Sequence, residues 1–276
     1  MKFARPKVID EALVLLSAGG WDVLSGGTDY YPGLRDEPPA APILDISAIK
    51  GLRGITRDAD GWCIGALTTW TDVIRADLPP AFDTLKLAAR EVGSIQIQNR
   101  ATLAGNLCNA SPAADGVPPL LVLDASVELR SAEGQRIVPL ADFVLGNRRT
   151  ALATGEIVTA IRVPEKSGLG SSAFFKLGAR KYLVISIAMV AVRLVVEAGK
   201  VSQAAVAVGS CSEVAVRLRS LEVALVGLPI SDCAETVAVE HLQNLSPISD
   251  VRATELYRRD AAVELIRRAV AKAALL

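Results

Sequence analysis

RATLAGNLCNASPAAD, residues 100–115, sets a dense polar island into an otherwise apolar, alanine-rich chain. Its polar groups need hydrogen-bond partners, which water supplies to a surface loop and a ligand supplies to a binding site. Thr102, Asn106 and Ser111 are neutral donors and acceptors, and Gly105 permits close backbone approach. Asp115 is suited to accept from ribose hydroxyls, as acidic residues do in nucleotide sites. Together these residues can hold the phosphate and ribose of a dinucleotide. The same letters also describe an Asx-rich surface loop ending in a helix cap, with Ser111-Pro112 opening the next helix. Residue types alone do not separate the two.

A second glycine-containing segment lies upstream. In VLSGGTD, residues 23–29, a short buried strand over 22–25 runs into Gly26 and Gly27. Paired glycines let the backbone turn sharply and present successive N–H groups without Cβ obstruction, which suits a pyrophosphate. Thr28 adds a hydroxyl. Read alone, the pair is also an ordinary turn. It is not the GxGxxG of a dinucleotide-binding Rossmann unit, and that fold is disfavoured.

Composition limits the chemistry. The chain has 276 residues, 51% apolar and 22% charged, which fits a globular protein of two units. No run approaches the roughly 18–20 apolar residues of a membrane span. The N-terminal MKFARPKVIDEALVLL lacks the apolar core and cleavage site of a signal peptide, so a cytoplasmic protein is expected. Thirty basic residues balance thirty acidic ones, leaving no overall field for nucleic acid or an anionic membrane. Cys63, Cys108, Cys211 and Cys233 are widely spaced, which fits reduced thiols better than a disulfide, zinc or cluster framework. A single histidine, His241, leaves little material for Ser/His or Cys/His catalysis, so any redox chemistry falls to a cofactor.

The hydrophobic pattern is mixed α and β. A first helix is expected with Asp10 as its cap and Gly19-Gly20 as its stop, then a hairpin around Asp60-Gly61 and a helix from about residue 69 to 77. A stronger helix starts after Pro79-Pro80, ends at Gly93 and delivers the chain into the polar island. A hairpin turning at 132–134 and a further strand lead to the Pro, Gly and Ser residues of 164–170, which read as a domain junction. Beyond it an antiparallel sheet with helices on one face is expected, making the chain α+β. Lys176 sits on an apolar strand, where its charge needs either a bound cofactor or a route to solvent. The charges of residues 249–270 recur at helical spacing as on a solvated face, and Arg258, Arg259, Arg267 and Arg268 are candidates to dock a partner chain.

The two motifs, in this order, resemble those of the FAD-binding subunits of the molybdenum hydroxylases, the family of xanthine dehydrogenase and aerobic carbon monoxide dehydrogenase. SGGTD is similar to that family's first pyrophosphate loop, and TLAGNLCNASPAAD to its second, usually written T-x-G-G-N with a downstream S-P-x-x-D. CIGALTTWTDV, residues 63–73, and SDVRATELYRRD, residues 249–260, are similar to further family segments, so the resemblance spans essentially the whole chain. One departure is visible: Ala104 stands where the family commonly has the first of two glycines.

The resemblance implies a two-part α+β FAD-binding domain of the p-cresol methylhydroxylase type over 1–167, with subdomains of about 1–53 and 54–167. A small α+β domain with an antiparallel sheet, like the C-terminal domain of carbon monoxide dehydrogenase flavoprotein, would occupy 168–276. Val23, Leu24, Ser25, Gly26, Gly27, Thr28, Asp29 and Tyr30 would line the FAD phosphates. Thr102, Leu103, Ala104, Gly105 and Asn106 would form the second loop with Ser111 downstream, and Asp115 would hold the sugar region. Val92, Thr159 and Lys176 match positions that flank the flavin. FAD would be bound non-covalently, although Cys108 is a conceivable attachment point. Molybdopterin and [2Fe–2S] clusters would reside only in a large and a small partner subunit, in an assembly that allows a dimer of heterotrimers. FAD would take electrons from the clusters and pass them to NAD, a quinone or oxygen. Two rival readings stand beside this one: a self-contained flavin oxidase, and a non-catalytic nucleotide-binding or assembly module, which Ala104 alone encourages.

Overall fold

Three short strands pair in parallel at the N-terminal end, with Ile43–Asp45 between Phe3–Ala4 and Asp22–Leu24. The computed structural model describes residues 2–181 and 183–275. Helix Ile9–Ser17 links the first two of these strands and buries Ala12, Leu13 and Leu16 against Leu44, Ile46 and Ile49. Asp10 is not the cap: Val8 takes that position, and Asp10 lies in the first turn, where its charge complements the helix dipole. Gly19 and Gly20, at φ +74° and +75°, turn the chain out of the helix in a conformation that side chains resist.

A five-stranded antiparallel sheet follows, in the order Ile55–Asp58, Gly61–Gly65, Ile157–Pro164, Ser126–Ser131, Gly134–Pro139. Both expected hairpins are present in it. Helices Trp70–Arg75, Asp83–Glu91, Leu103–Asn109 and Val117–Val122 share its core, where Trp70, Phe82, Leu85, Leu103, Leu107 and Leu120 are fully buried. The polar island is therefore not an extended loop: most of its first half is helical, and the expected helix start at Ser111-Pro112 falls instead at Val117.

The last sheet is antiparallel, in the order Ser171–Leu177, Ala188–Glu197, Lys200–Gly209, Val216–Arg217. Residues 188–195 are apolar apart from Arg193 and buried throughout, as expected of a strand covered on both faces. Ala188, Val190, Val192 and Leu194 pack toward the 20-residue helix Glu255–Ala274, while Met189 and Ala191 join the core of the preceding sheet. Arg193 enters that second contact, donating to Val122 O at 2.9 Å and lying 3.4 Å from Asp124, so a helix-end carbonyl and a carboxylate together satisfy it.

The C-terminal arginines do not act as one docking set. Arg258 is 3% exposed and donates to Ile187 O, Ser210 O and Asp250. Arg267 donates to Val237 O, and Arg259 lies near Glu255 and Leu245 O. Arg268, paired with Glu264 one turn away, is exposed, and so is Arg267 beside its contact with Val237 O. Helical charge spacing could not distinguish these roles, because the partners come from loops distant in sequence. Among the described residues, no helix is long and apolar enough to cross a membrane.

Candidate cofactor site

The two glycine-containing motifs meet. Strand Asp22–Leu24 ends at the edge of the parallel sheet and delivers residues 25–29 against Thr102, the N-cap of helix Leu103–Asn109. Ser25 Oγ and Thr102 Oγ1 lie 3.1 Å apart, and Thr102 Oγ1 accepts from Gly105 N–H at 3.0 Å. The approach is closest at Gly26, where a Cβ would stand 2.2 Å from Arg100 O. Gly27 takes φ +72°, so the second glycine is needed for backbone conformation and the first for space.

This junction exposes donors. Among the described residues, the N–H groups of Gly26, Gly27, Thr28 and Asp29 find no acceptor in the chain, and neither does that of Ala104. All five residues line one cleft of about 540 Å³, within the range of roughly 300–1,000 Å³ usual for ligand sites. Its remaining wall is largely apolar, with Ala66, Trp70, Val92, Ile97, Leu152 and Val158. A nest of backbone donors beside an apolar wall suits a ligand with an anionic centre and a flat apolar end.

Val23 to Tyr30, Val92, Thr102, Ala104, Gly105 and Asn106 line this cleft. Ala104 is 4% exposed in the first turn of a regular helix, at a position that requires no glycine conformation. Its methyl leaves the backbone N–H available. Asn106 accepts from Gly116 N–H at 3.1 Å and thereby holds the helix to the segment that follows.

Five expected residues do not line it. Leu103 is fully buried, on the helix face that packs into the core with Leu107. Ser111 follows a left-handed turn at Ala110, φ +46°, and lines a neighbouring cavity of about 600 Å³ with Pro112, Asp250 and Arg258. Thr159 donates to Glu128 Oε1 at 2.7 Å, and a register shift between Val158 and Ala160 leaves Val158 in the cleft wall. Asp115 and Lys176 are committed to one another at 2.7 Å, with side chains 10% and 5% exposed. The other Asp115 oxygen accepts from Ser186 Oγ, so its acceptors serve the protein rather than a sugar. Burial pushes Asp115 above the usual carboxylate range, against the pull of the Lys176 cation and its hydrogen bond. Lys176 also lies 3.4 Å from Glu91 O, beside Val92, so this pair braces the cleft wall from behind.

Several lining residues carried no signal in the sequence. Leu152 and Val158 read as ordinary core. Arg148 lies in the turn between the paired strands Val144–Gly146 and Arg149–Thr150, where nothing periodic marks it. Glu156 lines the cleft but is held by Arg136 through two hydrogen bonds of 2.6 and 2.8 Å, which keep its carboxylate below the usual range. Cys108 lines the cleft and is accessible to solvent there, while the surrounding protein raises its thiol above the ordinary value. A raised thiol stays protonated and is a poor nucleophile.

Residues 1–166 match the family model described as the FAD binding domain in molybdopterin dehydrogenase, and residues 173–273 match the CO dehydrogenase flavoprotein C-terminal domain. The nicotinate dehydrogenase FAD-subunit of Eubacterium barkeri is 32% identical over 277 residues, covering 94% of this chain and 91% of the relative. The carbon monoxide dehydrogenase medium chain of Afipia carboxidovorans is 32% identical over 281 residues, covering 98% and 96%. Among solved structures, reconstituted CO dehydrogenase from Oligotropha carboxidovorans aligns over 100% of this chain and 98% of its own, with a TM-score of 0.92 and 30% identity.

Proposed function

This chain belongs to the FAD-binding subunits of the molybdopterin hydroxylases, oxidoreductases of the xanthine and carbon monoxide dehydrogenase family, and from that premise we propose that it holds FAD non-covalently between its two glycine loops and relays electrons from a partner's [2Fe–2S] clusters to NAD, a quinone or oxygen. The observation that carries this reading is the cradle itself: five unpaired backbone N–H groups beside a position, Gly26, that a Cβ would fill. The N–H groups of Gly26 to Asp29 and of Ala104 would hold the diphosphate, with the Ser25 and Thr102 hydroxyls at the seam. Trp70, Val92 and Val158 would exclude water from the ring system. Bound FAD supplies the capacity to take up electrons singly and release them in pairs, which no side chain here offers. The same reading divides the chain at 167/168 and assigns molybdopterin and the clusters to a large and a small partner subunit, with two such heterotrimers able to pair. Relatives named for substrates as different as nicotinate and carbon monoxide support leaving substrate choice to a partner chain.

The rival readings lack support. A self-contained oxidase needs a free base at the flavin, and Glu156 is held as an ion pair by Arg136. A degenerate module would owe its loss of function to Ala104, yet that position is an ordinary helical one. Ala104→Gly is therefore expected to cost about 1 kcal/mol of stability, the helical penalty of glycine, without tightening FAD binding; urea unfolding and flavin titration check both.

Reconstitution from the three subunits tests the assignment. Omitting this chain should leave substrate-driven reduction of the [2Fe–2S] clusters intact and remove electron delivery to the soluble acceptor. Undiminished delivery without it, or turnover of a small substrate by the isolated chain, would count against the relay.

A further inference from the structure

Arg148 is, among the described residues, the one cation lining the cleft, where the other charged groups are Asp29 and Glu156. Its backbone is held in the left-handed region, φ +58°, and its N–H donates to Ala110 O at 3.0 Å. An arginine tolerates that conformation only where its surroundings enforce it. The side chain, 60% exposed, bridges two segments. Nη1 donates to Asp29 Oδ2 at 2.6 Å and also to Asn109 Oδ1, so one nitrogen ties the first glycine loop to the end of the second-loop helix. Among the described residues, Nε and Nη2 find no acceptor.

A guanidinium held through one nitrogen keeps an Nε/Nη2 edge, the geometry that grips a phosphate with two parallel hydrogen bonds. Asp29 also belongs to the run of unpaired N–H groups, which puts that edge next to the cradle. Backbone donors supply hydrogen bonds but no full charge, and Glu156 is already neutralised by Arg136. Arg148, itself paired with Asp29, is thus the one cation among the lining residues that can face the diphosphate.

Resting on the FAD reading above, we infer that Arg148 is a cofactor-binding residue, presented by Asp29 and Asn109 so that its free edge takes a diphosphate oxygen and fastens the two loops over the cofactor. It gives the loops a reason to be joined at the mouth as well as at the Ser25–Thr102 seam. Binding then carries an ionic component that falls as salt rises.

The experiment is FAD titration of the flavin-depleted chain by fluorescence, at low and high sodium chloride, for wild type, Arg148→Gln and Arg148→Lys, with circular dichroism to confirm folding. Losing a charge-assisted pair should weaken binding of FAD by Arg148→Gln about 10- to 100-fold at low salt and flatten its salt dependence. Arg148→Lys should keep the salt dependence while recovering only part of the affinity, because the fork is lost. Unchanged affinity in Arg148→Gln overturns the inference, as does a weakened affinity whose salt dependence matches wild type. A wild-type chain that binds no FAD overturns the cofactor reading itself, and the inference with it.

Discussion

Replacing Gly26 by alanine is expected to destroy the cofactor site and to destabilise the fold around it. The new Cβ would lie 2.2 Å from Arg100 O, 2.9 Å from Arg100 C and 3.0 Å from Ala101 Cα, all of them backbone atoms with no rotamer to swing aside. The loops would have to separate, breaking the Ser25–Thr102 contact and loosening the cap that Thr102 provides to Gly105. Overpacking and the weakened cap together should cost about 2–4 kcal/mol, and FAD affinity should fall by at least about tenfold as the donors lose alignment. Gly33→Ala is the matched control, since a Cβ there meets nothing within 4 Å. Urea unfolding and FAD titration of both variants should show a large loss on each measure at Gly26 and little at Gly33. A Gly26→Ala protein that binds FAD normally would refute the close approach of the two loops.

The second large effect is expected at Lys176. Lys176→Met leaves Asp115 buried with Ser186 as its one remaining side-chain partner among the described residues, and breaking a buried pair in this way typically costs about 3–5 kcal/mol. The pH dependence has a definite sign. Burial already raises the Asp115 carboxyl, and removing the adjacent cation raises it further. A carboxyl raised above its unfolded value contributes stability that is fully present at acidic pH and is lost as pH climbs through its folded value. Lys176→Met should therefore lose stability as pH rises above the ordinary carboxylate range, where wild type changes less. Adding Asp115→Asn should recover much of the loss and remove the slope. Urea midpoints over that rise in pH decide the matter; a single variant as stable as wild type would mean that Asp115 is not buried as described.

These effects show which parts of the molecule could be read in advance. The glycine segments were legible because their chemistry is local: Gly27 needs its positive φ and Thr102 caps the helix that follows it. Strand periodicity revealed the hairpins, and the apolar run at 188–195 is that of a strand covered on both faces. What lay hidden depends on which way a side chain faces after folding. Asp115 and Lys176 were each assigned to the cofactor and instead hold one another, a pairing across 61 residues that no spacing reveals. Ser111 was carried past the cleft by a left-handed turn at Ala110, which is not a glycine and gave no warning. Arg148 was unremarked because its significance comes from Asp29 and Asn109, which are 119 and 39 residues away. Arg258 looked like part of a solvated stripe, yet its partners are carbonyls at the ends of two strands of the last sheet.

The central claim is that the two glycine loops together make a non-covalent FAD site, and flavin analysis of the purified chain tests it most directly. The chain should carry, or take up on titration, one FAD per molecule, recovered entirely as free FAD when the protein is denatured. A folded chain that neither retains nor binds FAD, or flavin that stays attached to the denatured polypeptide, would contradict it.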